Sequence, residues 1–558
     1  VDRTTTTRAE TRPRPTAATG SAAGRATPAP QSSPAPHAPH TAPAVLRERA
    51  ARVLAANWTG GSTVPSRELY PHQWSWDSAF IAIGLRHLSP LRAQLELETL
   101  LSAQWADGRL PHIVFNPSVP LDAYFPSPDF WRSTTAGRAA GAPGTVQTSG
   151  IVQPPVHALA AWLVHLADPA LSRARAFLPR LHPRLAAWHR FLLHHRDLGG
   201  AGLAAVVHPW EQGMDNSPCW DAPLSRVSPA RPHTFRRADL DHGSPQDRPT
   251  DLDYGRYVRL AADYRDGGYG AGVAAGRGGT APAAGLAAGG FAVEDPSFNA
   301  LLIASEHALA RITGELGVPA TARHERAERL TRVLVERLWD PTDGIFRCRD
   351  LLAGGLEGAS GGDGAARDGT AGRARSGGRG SAAGWADGAD RVGGVGGVGG
   401  VGGVGGALIG EVGVTGLVPL VLPGLPRDIA AALVRTACGP RFELGGRVRL
   451  VPSHDLLSPA FDPQRYWRGP AWFNTNWLLE RGLRLHGERE RADVLRAAVL
   501  DTAVASDFAE YVDPYTGSGC GARGFSWSAA LALDMSVDVD MNVNVTAGAE
   551  RDEGARDE

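Results

Sequence analysis

Apolar positions recur along this chain mainly with the period of a helix. Between 154 and 167, for example, Leu159, Trp162, Leu163 and Leu166 sit three and four residues apart, which places their side chains on one helical stripe. The same spacing predicts helices near 44–57, 78–87, 90–106, 154–167, 171–195, 252–264, 297–314, 320–338, 427–437, 471–486, 488–505 and 526–534. Pro154-Pro155 suits a helix start, where a missing N–H costs little. Two-residue alternation is scarce, and Arg447 to Val451 is the best strand candidate. About a dozen helices joined by aromatic-rich loops predict an all-α helical toroid with a site at its mouth. Two stacked helical bundles are the alternative arrangement.

Four stretches break the pattern. Residues 1–43 are Thr, Ala, Pro and Ser with scattered Arg, and they hold too little apolar surface to offset the entropy of ordering. Gly/Ala-rich stretches near 266–290 and 353–406, the second ending in Val-Gly-Gly repeats from Val392 to Gly406, read as flexible inserts because helical patterning resumes after each. The last residues, 536–558, alternate Val with Asp or Asn and then turn acidic, as a loose tail would. The folded body expected is therefore 44–535.

Composition narrows the function. A net charge of −1 gives no attraction to nucleic acid or to an anionic membrane surface. No apolar run reaches the roughly 20 residues of a membrane span, and the first residues lack a secretory signal layout. Cys219, Cys348, Cys438 and Cys520 are widely spaced, which points to reduced thiols and a cytoplasmic protein rather than a disulfide frame or a metal site. All 57 basic residues are Arg, a bias that reads as coding composition. No HExxH, Walker loop or Gly-x-Ser-x-Gly elbow is present. No metal and no cofactor is expected.

Chemistry concentrates in three loops. His208 to Asp221 holds Glu211, Asp215 and Asp221 with Trp210 and Trp220, interrupted by Gly213 and Pro218. Phe508 to Gly517 carries Glu510, Tyr511, Asp513 and Tyr515, and Tyr70 to Asp77 carries Trp74 and Trp76. Indoles stack on sugar faces, and carboxylates bind hydroxyls or move protons. Glycoside hydrolysis needs one protonated carboxyl and one carboxylate facing each other across the sugar. Asp215, between Met214 and Asn216, has the apolar setting that keeps a carboxyl neutral; its plainer reading is a turn or N-cap Asp. Glu510 is the partner, with an exposed helix-end Glu as the plainer reading. Asp77 is placed to hold sugar hydroxyls or to cap the next helix; Trp74 and Trp76 are subsite or core. Asp122 to Trp131 reads as a loop over the site mouth. Trp467 and Arg468 line a subsite, or Arg468 is a buried structural pair to a carboxylate.

Taken in order, the motifs Gln73-Trp74-Ser75-Trp76-Asp77-Ser78-Ala79-Phe80, Pro111-His112-Ile113-Val114-Phe115, Tyr124-Phe125-Pro126, Gly150 to Pro155, Asp215-Asn216-Ser217, Tyr466-Trp467-Arg468-Gly469-Pro470, Glu510 to Gly517 and Gly524-Phe525-Ser526-Trp527 resemble glycoside hydrolase family sixty-three, in its bacterial branch of mannosylglycerate and glucosylglycerate hydrolases. The resemblance spans about 44–535 without the inserts. It implies an (α/α)6 barrel with a loop or helical cap and hydrolysis with inversion, with Asp215 as general acid and Glu510 as the base that activates water. It implies Asp77 and Trp74 in the sugar subsite, with Tyr70, Tyr124, Gln153, Trp210, Arg248, Tyr254 and Trp467 as further substrate contacts. Inversion would set the two carboxyl groups roughly 6.5–9.5 Å apart. The expected partner is a small glycoside; a homo-oligomer is compatible with the sequence. Rival functions are a trehalase-like or α-oligosaccharide hydrolase on the same barrel, a sugar epimerase, and a sugar-binding protein without catalysis. One departure is Gln212, where the family pattern is Glu-Ser-Gly-x-Asp, and it is expected to alter the subsite beside the acid. The Val-Gly-Gly stretch is another, expected to disturb a neighbouring loop.

Overall fold

The computed structural model describes residues 42–241, 245–270, 290–354 and 406–537, all within the unit His37–Glu558. The expected tail before 43, most of the two glycine-rich stretches and the end of the chain beyond 537 lie outside the described residues. Among the described residues, twelve helices run to eleven residues or more, close to the predicted positions. Six elements form a closed inner ring: Ser75–Leu85, His157–Ala167, Pro296–Glu315, the 3₁₀ turns Val414–Gly416 and Val418–Val421, Phe473–Leu485 and Ser526–Ser536. Each packs on the next, and the last returns to the first. Outside it lie Pro43–Ala56, Pro90–Ser102, Phe177–His195, Thr321–Leu338, Arg427–Cys438 and Arg489–Ala505. This is the (α/α)6 barrel, and it excludes two stacked bundles.

The two rings differ as their sequences require. Every residue of Ser75–Leu85 is buried, as are all but one of Ser526–Ser536; helices apolar all round belong inside. The outer helix Thr321–Leu338 buries only Ala327, Leu330, Thr331, Leu334 and Leu338, at helical spacing. Gly84 closes the ring, because a Cβ there would sit 2.3 Å from the carbonyl oxygen of Ala530. Asn57 ties the same junction, its Nδ2 donating to Ser526 Oγ at 2.9 Å and to the Gly524 carbonyl at 2.9 Å.

Several expectations are corrected. Arg447 to Val451 is not a strand but a turn and bends. Glu443 and Gly445 have φ of 48° and 75°, and Asn476 takes the place of a strand partner by bonding both the N–H and the C=O of Val451. The strands that do form are two residues long, and several precede inner helices: Gln73–Trp74, Val293–Glu294 and Ala471–Trp472. Helix starts also shift. Asp77 lies in the first turn of Ser75–Leu85, and the N-cap is Trp74. Pro154-Pro155 precede a helix that begins at His157, and Pro470 precedes a strand rather than a helix. The described residues on either side of the second glycine-rich stretch pair with each other, Arg349–Asp350 antiparallel with Ala407–Leu408.

Candidate active site

One end of the inner ring, where its helices begin, opens into a cavity. Trp76 and Asp77 enter from the first turn of Ser75–Leu85, and Trp527 from that of Ser526–Ser536, with Trp74 and Phe525 just ahead of them. Gln153 and Asp215 come from loops between helices, Trp210 from the short helix Pro209–Gln212, Glu510 from the loop after Arg489–Ala505, and Tyr254 from the helix Asp251–Asp266. Tyr70, Tyr124 and Arg248 complete the predicted residues on the wall. Of the expected catalytic and substrate-contacting residues, all but Trp467 thus meet in one cavity.

Trp467 is a correction. It is 1% exposed, has φ of 58° and stacks on Trp472 with centroids 3.8 Å apart, away from the cavity wall. Arg468 takes its structural alternative, donating to both oxygens of Asp221 at 3.0 and 2.5 Å. Gln212 is also redirected. Its Nε2 donates to Asp295 Oδ1 at 3.3 Å, and its Oε1 accepts from the Met214 N–H at 2.9 Å, so it braces the loop from behind and does not line the cavity.

The 208–221 loop sorts its three carboxylates. Glu211 is fully buried and bound by Arg196 at 3.0 and 2.7 Å, with the Val207 N–H adding a bond at 2.9 Å. Asp221 belongs to Arg468. Asp215 makes no ion pair among the described residues and faces the cavity from a turn, where the Ser217 N–H bonds the Met214 carbonyl. The Tyr257 hydroxyl donates to the Asp215 carbonyl oxygen and fixes the backbone. Burial pushes the Asp215 carboxyl up to about 7, with the charge of Glu510 adding and that of Arg248 opposing.

Glu510 has the opposite surroundings. Its Oε1 accepts from the Tyr70 hydroxyl at 2.9 Å, and its Oε2 accepts from the Ala522 N–H at 3.2 Å and lies 3.9 Å from Arg248. Burial leaves its pKa raised, and Arg248, the Ala522 amide, Tyr70 and Tyr466 offset part of that. Gly521, with φ of 65°, leaves the room this needs, because a Cβ there would lie 2.4 Å from Glu510 Oε2. Arg248 also donates to the Tyr70 hydroxyl at 3.1 Å and lies 4.7 Å over the Tyr466 ring. Burial works against its charge, but Tyr70, Glu510, Tyr511 and Tyr466 more than offset that. Burial also raises Asp77 well above the carboxylate range, and the nearby Glu510 charge adds to this. One carboxyl inclined to hold a proton and one supplied with donors for its ionised form are what acid–base hydrolysis across a cavity requires.

The aromatic wall is continuous. Trp74 meets Tyr70 and Tyr124 edge-on at 5.3 and 5.0 Å, and Trp210 meets Tyr254 at 6.0 Å. Gln153 Oε1 accepts from the Trp76 N–H at 3.1 Å, locking the start of the inner helix. Sequence reasoning did not single out His112, Asp239, Tyr466, Phe525 or Trp527 as site residues, and all are on the wall. His112 stacks parallel to Trp210, and burial lowers its pKa well below the usual imidazole value, so it is neutral. His112, Tyr466, Phe525 and Trp527 stood in the ordered motifs and were legible there; Asp239 carried no such signal.

Comparison with known proteins agrees with this architecture. Residues 70–528 match the mannosylglycerate hydrolase MGH1-like glycoside hydrolase domain. The mannosylglycerate hydrolase of Rubrobacter radiotolerans is 36% identical over 87% of this chain and 95% of its own length. The glucosylglycerate hydrolase of Mycolicibacterium hassiacum is 36% identical over 88% of this chain and 98% of its own. The crystal structure of a GH63 mannosylglycerate hydrolase from Thermus thermophilus in complex with Tris superposes with a TM-score of 0.70, at 35% identity, over 88% of this chain and all of that one. The chain is a glycoside hydrolase and belongs to the MGH1-like family within glycoside hydrolase family sixty-three.

Proposed function

We propose that this enzyme hydrolyses a small α-linked glycoside of glycerate, mannosylglycerate or glucosylglycerate, with inversion at the anomeric carbon. Asp215 is the general acid and Glu510 the general base. The Glu510 carboxylate takes a proton from water as the water oxygen bonds to the anomeric carbon. The glycosidic C–O bond breaks on the opposite face, and Asp215 gives its proton to the leaving oxygen. A β-configured sugar and free glycerate result, and solvent returns the proton from Glu510 to Asp215. Asp77 and Trp74 hold the sugar, while Gln153 and Trp210 shape the wall around it. Arg248, with the hydroxyls of Tyr70, Tyr124 and Tyr254, receives the glycerate carboxylate.

The observation that carries this reading is the contrast between Asp215, enclosed without an ion pair among the described residues, and Glu510, served by Tyr70, Ala522 and Arg248 on one wall. The substrate class draws on the named relatives and on Arg248, the one guanidinium lining the cavity among the described residues. Proton NMR of the first turnovers on α-mannosylglycerate and α-glucosylglycerate tests it. Early β-sugar is expected. Early α-sugar would reject inversion and recast Glu510 as a nucleophile. Turnover of trehalose or neutral α-oligosaccharides in place of both glycerates would move the substrate class. Asp215→Asn and Glu510→Gln variants that kept full activity would remove the assignment.

A further inference from the structure

Among the described residues four carboxyl groups line the cavity, and the proposed reaction uses three of them: Asp77, Asp215 and Glu510. The fourth is Asp239, in the 3₁₀ turn Ala238–Leu240. Arg237 grips it through two bonds, Nε to Oδ1 at 2.9 Å and Nη2 to Oδ2 at 2.8 Å. Arg237 is itself held from three further sides: by Asp251 at 2.7 Å, by the Pro249 carbonyl at 2.9 Å, and by the Tyr254 ring 4.3 Å below its guanidinium. A surface pair two residues apart gains little and has no such mounting. Here the mounting fixes one carboxylate against the cavity wall.

Asp239 lines the cavity that Asp215 faces and Arg237 does not, so the pair turns its negative end toward the acid. The groups facing Asp215 are Arg248, Glu510, Asp239, Tyr124, Tyr254, Tyr257 and Tyr466. The Asp239 charge is felt by Asp215, Tyr124 and Tyr254 together. Arg248 favours an ionised Asp215, and Asp239 opposes it. We propose that Asp239 is a positioning residue of the reaction: a clamped negative charge that offsets Arg248 and keeps the proton on Asp215 until the glycosidic oxygen takes it. This rests on Asp215 being the acid. It lets one cavity hold a cation for an anionic aglycone without emptying its own acid.

The test compares the pH profile of kcat/KM for Asp239→Asn and the unaltered full chain on α-mannosylglycerate and on α-mannosyl fluoride, whose leaving group needs little protonation. An acid that must be protonated loses activity as pH rises through its pKa. Removing the Asp239 charge is expected to move that alkaline limb down by about half a pH unit or more, roughly a threefold loss above the limb. The fluoride rate should stay level. An unmoved limb overturns the proposal when Asp215→Asn, run beside it, loses the glycerate substrate and keeps the fluoride. If Asp215→Asn instead keeps the glycerate substrate, the acid assignment has failed and takes the inference with it. Asp239→Glu preserves the charge and must keep the original limb. A limb displaced as far by glutamate as by asparagine would show that shape, not charge, sets it, and that also overturns the proposal. If asparagine lowers the yield of folded enzyme, Asp239→Ser removes the same charge and must move the limb in the same direction, an unmoved limb again overturning the proposal.

Discussion

Gly521 offers a sharp test of how the base is positioned. Its φ is 65°, and a Cβ would stand 2.4 Å from Glu510 Oε2 and 2.7 Å from a ring carbon of Tyr511. Gly521→Ala imposes two separate costs. The left-handed backbone costs any residue with a Cβ roughly 1–2 kcal/mol. The methyl is also about 1 Å short of ordinary contact with the carboxylate, so Glu510 must move by about that distance, and a displacement of this size can cost on the order of 100-fold in rate. Gly487, with φ of 84° and nothing within 4 Å, separates the two. Gly487→Ala carries the backbone cost without the collision. Both variants should lose a few degrees of melting temperature, but only Gly521→Ala should lose about 100-fold in kcat, measured by sugar release. If the two melt alike and Gly521→Ala keeps kcat within about fivefold of the original, the room beside Glu510 does not set its catalytic position.

Three further outcomes are expected. Asp215 must be protonated to act and its carboxyl is pushed up to about 7, so kcat/KM should fall as pH rises through that value, and fall again on the acid side as Glu510 takes up a proton; activity climbing steadily from about pH 7 to 9 would contradict this. Glu96 is buried with no ion pair among the described residues, bonded by the Thr63 N–H, Ser78 and Gln73, and burial raises it to about 7; because its folded pKa lies above the unfolded one, its contribution to stability is present below about pH 4.5 and is lost as pH rises toward 7. The melting temperature of the original relative to Glu96→Gln should therefore be more favourable at pH 5 than at pH 8, and a pH-independent difference would refute it. Arg196→Met strands the buried Glu211, 0% exposed, and should cost about 3–5 kcal/mol in denaturant unfolding, where a loss under about 1 kcal/mol would mean that the pair is not what holds the 208–221 loop.

The outer helices were legible because each buries one stripe, as in Thr321–Leu338. Of the inner ones, Ser75–Leu85 and Ser526–Ser536 are apolar nearly all round, whereas the stripe read near 154–167 includes Leu166, which is exposed, and the neighbours of each helix could not be read from its sequence. The site was legible where aromatic residues and carboxylates crowd one loop, as at 70–77, 208–221 and 508–517. Crowding also misled. Trp467 sits beside Tyr466, but a positive φ turns it onto Trp472 while Tyr466 reaches the wall. Asp239 lies in a stretch of Arg and Asp that reads as a solvated surface, and it is held at the wall by Arg237, which packs over the Tyr254 ring. Gln212 looked like a change of subsite because it neighbours the acid in sequence; its amide is spent on Asp295 and Met214 instead. The strand expected at 447–451 does not form: Asn476, 25 residues later, takes both backbone bonds of Val451, and the Arg449 N–H goes to the Pro514 carbonyl.

Ring closure bears on how this enzyme is made. Tyr70 and Glu510, bonded to each other, are 440 residues apart, and Asn57 and Ser526 are 469 apart. Gly84 can seat against Ala530 only after the final inner helix has been synthesised. A growing chain on the ribosome therefore carries the acid loop long before the base Glu510, and Tyr466, Phe525 and Trp527 of the wall, have been made. Contacts this distant in sequence make assembly slow, and activity should arrive in one step when the last turn of the barrel leaves the ribosome.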